Sequence, residues 1–384
     1  MRNAIYFVVS CVMATTYQPV LADMIQPFDY FSVYSRGSIG RADNRFQATF
    51  HGPTGAAGSA YLRSSHIARH GQLSGYKENA KQVDQAPILK LHAVGVTRDS
   101  GEIDSTSPQA RVATSRLVSN VLNDYVLNVG GDFSAQYSST FGGHLDVGGH
   151  IGMNGVTVLG DLYSGGSIGD YGWGGAMIHG SANAGGTVAF SDRVKVDAVN
   201  SSFPYHTPVD HDAVSAYFLN TSALIESMFA TNTLTDERGH LIFGAVSGVN
   251  VVEVDQKTLQ NAWGFTIEGP KDAIVLINVN DSLVYLDNTT WVYKGGVEKE
   301  SVLLNMPAAT ELTLSQTNRV NILAPLADTQ FMHGRVDGLL VVGDLHGGGH
   351  VMGGKFNAGA IPEPTTVVLF ALGGLSLILR RHAV

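Results

Sequence analysis

Gly165-Gly166-Ser167-Ile168-Gly169 has the form G-x-S-x-G, the turn that presents a nucleophilic serine between a strand and a helix. The residues that follow, Asp170-Tyr171-Gly172-Trp173-Gly174-Gly175, cannot make that helix, and Gly37-Ser38-Ile39-Gly40 repeats the phrase as a turn would. No catalytic residue is assigned. His144 and His150 stand six apart, and His346 and His350 four apart. Even spacing puts each pair on one face of an extended strand, and stacked strands could bring all four to a metal. The intervening glycines make turns instead, and no carboxylate accompanies the histidines at a fixed spacing. They read as surface turn histidines, and no metal site is expected. Asp146, Asp161 and Asp344 lie at turns without the tight glycine-aspartate repeat of calcium-binding rolls. Calcium held through turn carbonyls stays open, and no other cofactor is expected. A glycosidase needs two carboxylates at a set separation, which the sequence does not reveal. Tyr163, Tyr171 and Trp173 sit among glycines, where they either stack on sugar rings or fill the ends of a coil stack.

The elements that must position these residues are short strands. Glycines number 45 of 384, and residues 142–186 alone hold 16. The apolar runs between them, His144 to Val147, Val156 to Leu159, Ala176 to His179 and Thr187 to Phe190, are too short for helices. Leu159-Gly160-Asp161-Leu162-Tyr163-Ser164-Gly165-Gly166 resembles Val342-Gly343-Asp344-Leu345-His346-Gly347-Gly348-Gly349, as the stacked coils of a solenoid would. Earlier runs are Tyr30 to Tyr34, Phe46 to Phe50 and Ser59 to Leu62, with 51–58 as a small-residue turn cluster. From 240 onward strand follows strand, and Ala273 to Val279 is apolar enough to be buried on both faces.

Two helices are expected. Ser107-Pro108 opens one, with serine as N-cap and proline in the first position. Ala110, Ala113, Leu117, Val121 and Tyr125 form its stripe, and Gly130-Gly131 ends it. The second spans about 210–230, capped by Asp210 or Asp212. Val214, Tyr217, Phe218, Leu224, Ile225, Met228 and Phe229 form its apolar face, laid along a sheet.

Both ends speak for export. Arg2, the apolar Ala4 to Met13 and Val20-Leu21-Ala22 before Asp23 form a signal peptide, 1–22, cleaved between Ala22 and Asp23. The only cysteine, Cys11, lies inside it, so disulfides, thiolate metal sites and cysteine nucleophiles are excluded for the mature chain. A formal net charge of −9 argues against nucleic acid. At the other end, Pro362-Glu363-Pro364 breaks regular structure. The apolar Thr365 to Leu379 is shorter than a comfortable bilayer span, and Arg380-Arg381 closes it on the cytoplasmic side.

This tail, 361–384, resembles the PEP-CTERM sorting signal of Gram-negative bacteria. The resemblance implies an exosortase-type sorting enzyme as partner, a transient inner-membrane anchor through a C-terminal transmembrane helix, and delivery to the cell surface or an exopolysaccharide matrix. Residues 205–359 resemble the choice-of-anchor A family of bacterial surface proteins. The likeness rests on Pro208-Val209-Asp210, Leu276-Ile277-Asn278-Val279, Leu303-Leu304-Asn305-Met306-Pro307, Glu311-Leu312-Thr313-Leu314, Ile322-Leu323-Ala324-Pro325 and Gly334 to Gly338. The chain departs from the family at Leu304-Asn305-Met306, where Trp-Asn-Phe is usual, and at Leu326, where a polar residue is usual. Stretch 78–131 looks like an insertion.

The resemblance implies a mainly β domain over 23–360: a right-handed parallel β-solenoid (β-helix) with a flanking α-helix. It further implies adhesion or matrix and biofilm association, polysaccharide contact and no enzymatic activity. Two alternatives stand beside it. One is a secreted β-helix enzyme degrading polysaccharide, which needs a groove with clustered carboxylates or basic residues. The other is an ice-binding-like solenoid, which needs a flat face of regular threonines that the sequence does not display.

Overall fold

Glycine pairs separated by runs of three to five apolar-alternating residues leave a chain little choice but to turn and turn again. The computed structural model describes residues 27–68, 125–171, 174–205, 209–286 and 290–357. All but a few elements are strands, and almost every pairing is parallel.

A first ladder runs, in register, through Gly248–Glu253, Ala273–Asn278, Val302–Asn305, 321–324, 340–342, Val33–Ser35, Thr54–Ala56, 127–129, 145–147, Leu162–Ser164, 182–184 and 198–200. A second carries Ala60–Arg63, 133–136, 151–154, Ile168–Asp170 and 188–189. A third carries 49–51, 66–68, 140–141, 156–158, 176–178 and 194–196. From Thr54 to Val196 the chain visits the ladders in the same cyclic order, first, second, third. The order along the first ladder is not the order of the sequence. Among the described residues the last strand, Leu340–Val351, pairs with the first, Val33–Ser35, and with Gln47–His51.

Inward rows from the three ladders form one apolar core, including Leu127, Val147, Phe133, Phe141, Val275, Leu304 and Ile322. Ala273–Asn278 is buried at every position, as its composition requires.

The helix His211–Glu226 lies on the outward side of the first ladder, against Ala273–Asn278, Val302–Asn305 and Asn321–Phe331. Asp210 caps it, its carboxylate accepting from Ala213 N–H at 2.9 Å. The buried face is Phe218, Thr221, Ser222 and Ile225, not the wider stripe expected; Phe229 lies beyond the helix end and is 93% exposed. Two polar residues on the buried face find partners in the sheet, described below.

Three other expectations are corrected. Tyr125–Val129 is a strand of the first ladder, so no helix runs on to Gly130; four apolar or β-favouring residues around Asn128, before a Gly-Gly corner, fit a rung. Tyr30 to Tyr34 divides into a helical turn, Pro27–Tyr30, and a strand, Val33–Ser35. The presumed turn cluster 51–58 contains the buried strand Thr54–Ala56, because the rings of Phe31 and Tyr34 lie over Gly55, where a Cβ would stand 2.5 and 2.7 Å from them. The rest of the 78–131 stretch up to Asp124, the signal peptide with Ala22 and Asp23, and the tail with Pro362, Glu363, Pro364, Arg380 and Arg381 lie outside the described residues. Among the described residues no helix is long and apolar enough to cross a membrane.

Candidate functional site

The corners between the first and second ladders repeat a unit of one or two glycines followed by a polar residue. These are Gly37-Ser38, Gly58-Ser59, Gly130-Gly131-Asp132, Gly148-Gly149-His150, Gly165-Gly166-Ser167 and Gly185-Gly186-Thr187. The polar side chain of each but the last, Thr187, accepts the backbone N–H of its counterpart one rung on. Ser38 Oγ takes Ser59 N–H at 3.2 Å, and Ser59 Oγ takes Asp132 N–H at 3.1 Å. Asp132 Oδ1 takes His150 N–H at 2.8 Å, His150 Nδ1 takes Ser167 N–H at 3.0 Å, and Ser167 Oγ takes Thr187 N–H at 3.1 Å. Asp344 Oδ1 begins the relay by accepting from Ser38 N–H at 2.5 Å. The glycines are required by packing: a Cβ on Gly148 would lie 2.3 Å from the Gly130 carbonyl oxygen, and one on Gly165 would lie 2.3 Å from that of Gly148.

This relay accounts for most of the residues that the sequence singled out. Ser167, at the centre of the G-x-S-x-G phrase, is a corner acceptor. His150 is one too, and His144 does the same at another corner, its Nδ1 accepting Asp161 N–H at 2.8 Å. That nitrogen also lies 3.3 Å from Asp161 Oδ2. A ring nitrogen that accepts has no proton to give, so the hydrogen bond, not an ion pair, defines the contact. Asp161 Oδ1 accepts Ser181 N–H at 2.7 Å. The repeated phrases around Asp161 and Asp344 thus occupy different corners; what they share is a carboxylate that receives the next rung's N–H. His346 is buried, not a surface residue, with Nε2 3.0 Å from Asp328 Oδ1 and 3.1 Å from Arg41 Nη2. His144 and His150 are separated from His346 and His350 by the rungs of Ile39, Ala60–Arg63 and 133–136. No cluster of metal-ligating side chains occurs among the described residues. Asp146 is buried in the first ladder's outward row.

The aromatic candidates part company. Tyr163 is half-buried between His144 and Phe203, its hydroxyl donating to Asp161 Oδ2 at 3.3 Å. Burial, with the Asp161 carboxylate beside it, pushes its phenol up. It fills the stack. Trp173 lies outside the described residues. Tyr171 is 51% exposed and lies over Gly152, with its hydroxyl 3.1 Å from Ser134 Oγ. Arg45 donates to the same Oγ at 3.0 Å and lies 5.9 Å from the centre of the Tyr61 ring. A hydrogen-bonded anchor therefore fixes Tyr171 against the sheet while one side of it meets water.

Tyr171 and Tyr61 border an open groove of about 360 Å³ on the second ladder. Gly152 and Gly169 help line it, along with Asp132, Ser134, His150, Ser167 and Thr187. Sequence reasoning missed Tyr61, Arg45, Ser134, Asp132 and Thr187. The signal was the Gly-Gly-polar unit, whose first glycines at 130, 148, 165 and 185 recur at intervals of 18, 17 and 20.

A protein-family profile described as "Putative Ice-binding-like adhesive domain" matches residues 100–352. The chain belongs to this family. As an ice-binding-like adhesive domain it is also similar to a solved structure, the ice binding protein from an Antarctic bacterium of the Flavobacteriaceae. That likeness is 9% identical, with a TM-score of 0.27, and covers 83% of this chain and 79% of the other; at that score no argument is drawn from it. No curated protein sequence matches.

Within this adhesive domain, the asparagines of the Leu-Ile-Asn-Val and Leu-Leu-Asn-Met phrases dock the helix. Asn305 Nδ2 donates to Asn278 Oδ1 at 2.9 Å and to Ser222 O at 3.0 Å, and Ser222 Oγ donates back to Asn305 Oδ1 at 2.6 Å. Asn278 Nδ2 reaches Ile225 O at 3.0 Å. At the helix start, buried Tyr34 donates to His211 O at 3.0 Å. Burial raises that phenol to about 12 and lowers the His211 imidazole to about 4.

Proposed function

We propose that this protein is an exported adhesive component of the cell surface or extracellular matrix that holds exopolysaccharide in the Tyr61–Tyr171 groove. The observation that carries this reading is Tyr171, a half-exposed ring anchored through Ser134 beside glycine-lined sheet. An aromatic face held rigid loses little entropy on stacking with a sugar ring. The cyclic visiting of three parallel ladders supports a β-solenoid with the helix on its flank, and we assign it the right hand that the choice-of-anchor A resemblance implies. Family membership supports adhesion and a surface or extracellular location.

A non-enzymatic role is favoured over polysaccharide degradation by how the groove carboxylates are used. Both Asp170 oxygens accept from Ser191, at 2.7 Å each, and Asp132, whose Oδ1 accepts from His150, keeps only Oδ2 open, so the groove offers one open carboxylate oxygen and not a pair of carboxyls. A hydrolase needs one carboxyl kept protonated and a second free to act as base or nucleophile.

The test is co-sedimentation of the exported chain with the producer's exopolysaccharide. Retention is expected, with a loss of tenfold or more in Tyr171→Ala; no retention above a denatured control removes polysaccharide as the partner. Delivery is assigned to the Pro362-Glu363-Pro364 tail acting with an exosortase-type enzyme. Alanines at those three positions should leave an unprocessed, membrane-retained form, and normal processing would defeat the assignment.

A second reading, ice binding, draws on the family and on Thr49, Thr140 and Thr157, which share an outward row of the third ladder. His66 stands between Thr49 and Thr140, and Met177 and Lys195 end the row. Inhibition of ice recrystallisation that is lost in Thr157→Lys would favour it.

A further inference from the structure

The corner relay also determines what each rung can offer to a ligand. His150 accepts through Nδ1, so its remaining proton is on Nε2, and it presents a donor. Asp132 uses Oδ1 on the relay and has Oδ2 left as an acceptor. Ser167 accepts at Oγ from both Thr187 N–H and Thr187 Oγ1, so its own proton is available to donate. Asp132, His150 and Thr187 are exposed, and all four side chains line the Tyr171 groove. Successive rungs of a parallel sheet repeat at about 4.8 Å, close to the length of one pyranose residue in an extended glycan. The charged groups lining the groove are the carboxylates Asp132 and Asp170. Arg45, which reaches the groove residues Ser134 and Tyr61, is engaged by both of them.

We infer that the groove takes a neutral polysaccharide running along the stack, one sugar residue per rung, with Tyr171 under one ring and the Asp132–His150–Ser167–Thr187 corner meeting successive hydroxyls. This rests on the polysaccharide reading above and narrows it by charge and by direction. A sugar hydroxyl both donates and accepts, so it matches a row that offers an acceptor at Asp132 and donors at His150 and Ser167. A uronate or sulfated chain would set its anions against Asp132 and Asp170 in a protein that is already acidic. A chain laid across the rungs would meet one corner side chain only.

The experiment uses the exported chain with soluble neutral glucan, mannan and galactan, with polygalacturonate, and with a length series of oligosaccharides cut from whichever neutral polymer binds. At least one neutral polymer is expected to be retained and polygalacturonate is not. Affinity should climb with each added residue until the four corners are spanned, then level off. Ser167→Ala and Thr187→Ala should each cost threefold or more against the longer oligosaccharides while leaving the shortest unaffected. Tyr171→Ala, at an exposed ring, should weaken every length, with the circular dichroism melt of each variant reporting that the stack is intact.

Asp132→Asn keeps the relay acceptor and should let polygalacturonate bind. Equal binding of polygalacturonate and neutral polymers by the unaltered chain overturns the inference while the adhesive reading stands. An affinity that levels off after one or two sugars overturns the direction along the stack. Failure of every polymer, the producer's own included, sinks the polysaccharide reading itself.

Discussion

The two halves of the ladder solve the same problem by different means. Between Val33 and Asn200, rung is tied to rung at exposed corners, where backbone meets backbone through glycine and a polar side chain receives the next N–H. Between Gly248 and Leu323 the ties include buried ones: Asn278 and Asn305 stack beneath a helix and satisfy its backbone. A corner in water needs only room and one acceptor. A tie under a helix must complete every hydrogen bond, because a buried polar group left unpaired costs about 1–3 kcal/mol. The first solution leaves a face open for binding; the second spends its outward face on holding the chain together.

The sharpest way to break this contrast is to fill a corner. Gly148→Ala places a methyl 2.3 Å from the Gly130 carbonyl oxygen, and the rungs must separate. A loss of about 3 kcal/mol or more is expected. Gly244→Ala, with nothing within 4 Å of the new carbon, should stay within about 0.5 kcal/mol of the parent. Urea denaturation of the two variants side by side makes the comparison. Equal tolerance would mean that corner glycines are not what sets the rung spacing.

In the helix-covered half, Asn305→Leu leaves Asn278 Oδ1 and Ser222 O without their donor. A cost of about 2–3 kcal/mol is expected. Amide hydrogen exchange should quicken in His211–Glu226 before it does in the corners. The same helix carries a pH response. Folding lowers the proton affinity of His211 from 6.5 to about 4 by burial, so the unfolded chain takes up the proton first. Stability from this group is complete above pH about 6.5 and is lost as pH falls to about 4, by about 2 kcal/mol after allowing for screening at the ring's exposed side. Denaturation midpoints at pH 7 and pH 4.5 should differ less in His211→Gln than in the parent.

Strand existence was legible in the sequence wherever glycine bracketed an apolar run. His144–Val147 and Glu311–Leu314 have the bounds their residues suggest, and Asp210 caps the helix where the chain turns apolar. The corner relay was legible only as a weak repeat. Its period shifts because strands that bend from one ladder to the next absorb extra residues, as between Gln136 and Ser139 or Ile178 and Ser181. The inward face of the helix was misread for a related reason: Ser222 is a polar residue with no place in an apolar stripe until Asn305 stands opposite it. A binding residue such as Tyr171 could be nominated from its type. That Tyr163 is half-buried and Tyr171 half-exposed depends on Phe203 lying over the one and Gly152 under the other, contacts between residues far apart in sequence.

The smallest effect tests the relay itself, without disturbing packing. His150→Ala removes the acceptor for Ser167 N–H at a corner open to water. Solvent can replace much of the lost bond, so a cost of about 0.5–1 kcal/mol is expected. The preceding rung uses a carboxylate oxygen for the same task, Asp132 Oδ1 on His150 N–H. An oxygen at the δ position therefore reaches as well as Nδ1 does. His150→Asn should restore stability to within a few tenths of a kcal/mol, whereas His150→Gln, with its acceptor one carbon further out, should not. If asparagine and glutamine rescue equally, bulk at the corner matters and the directed hydrogen bond does not. If only asparagine rescues, the rung-to-rung acceptor is what the Gly-Gly-polar unit encodes.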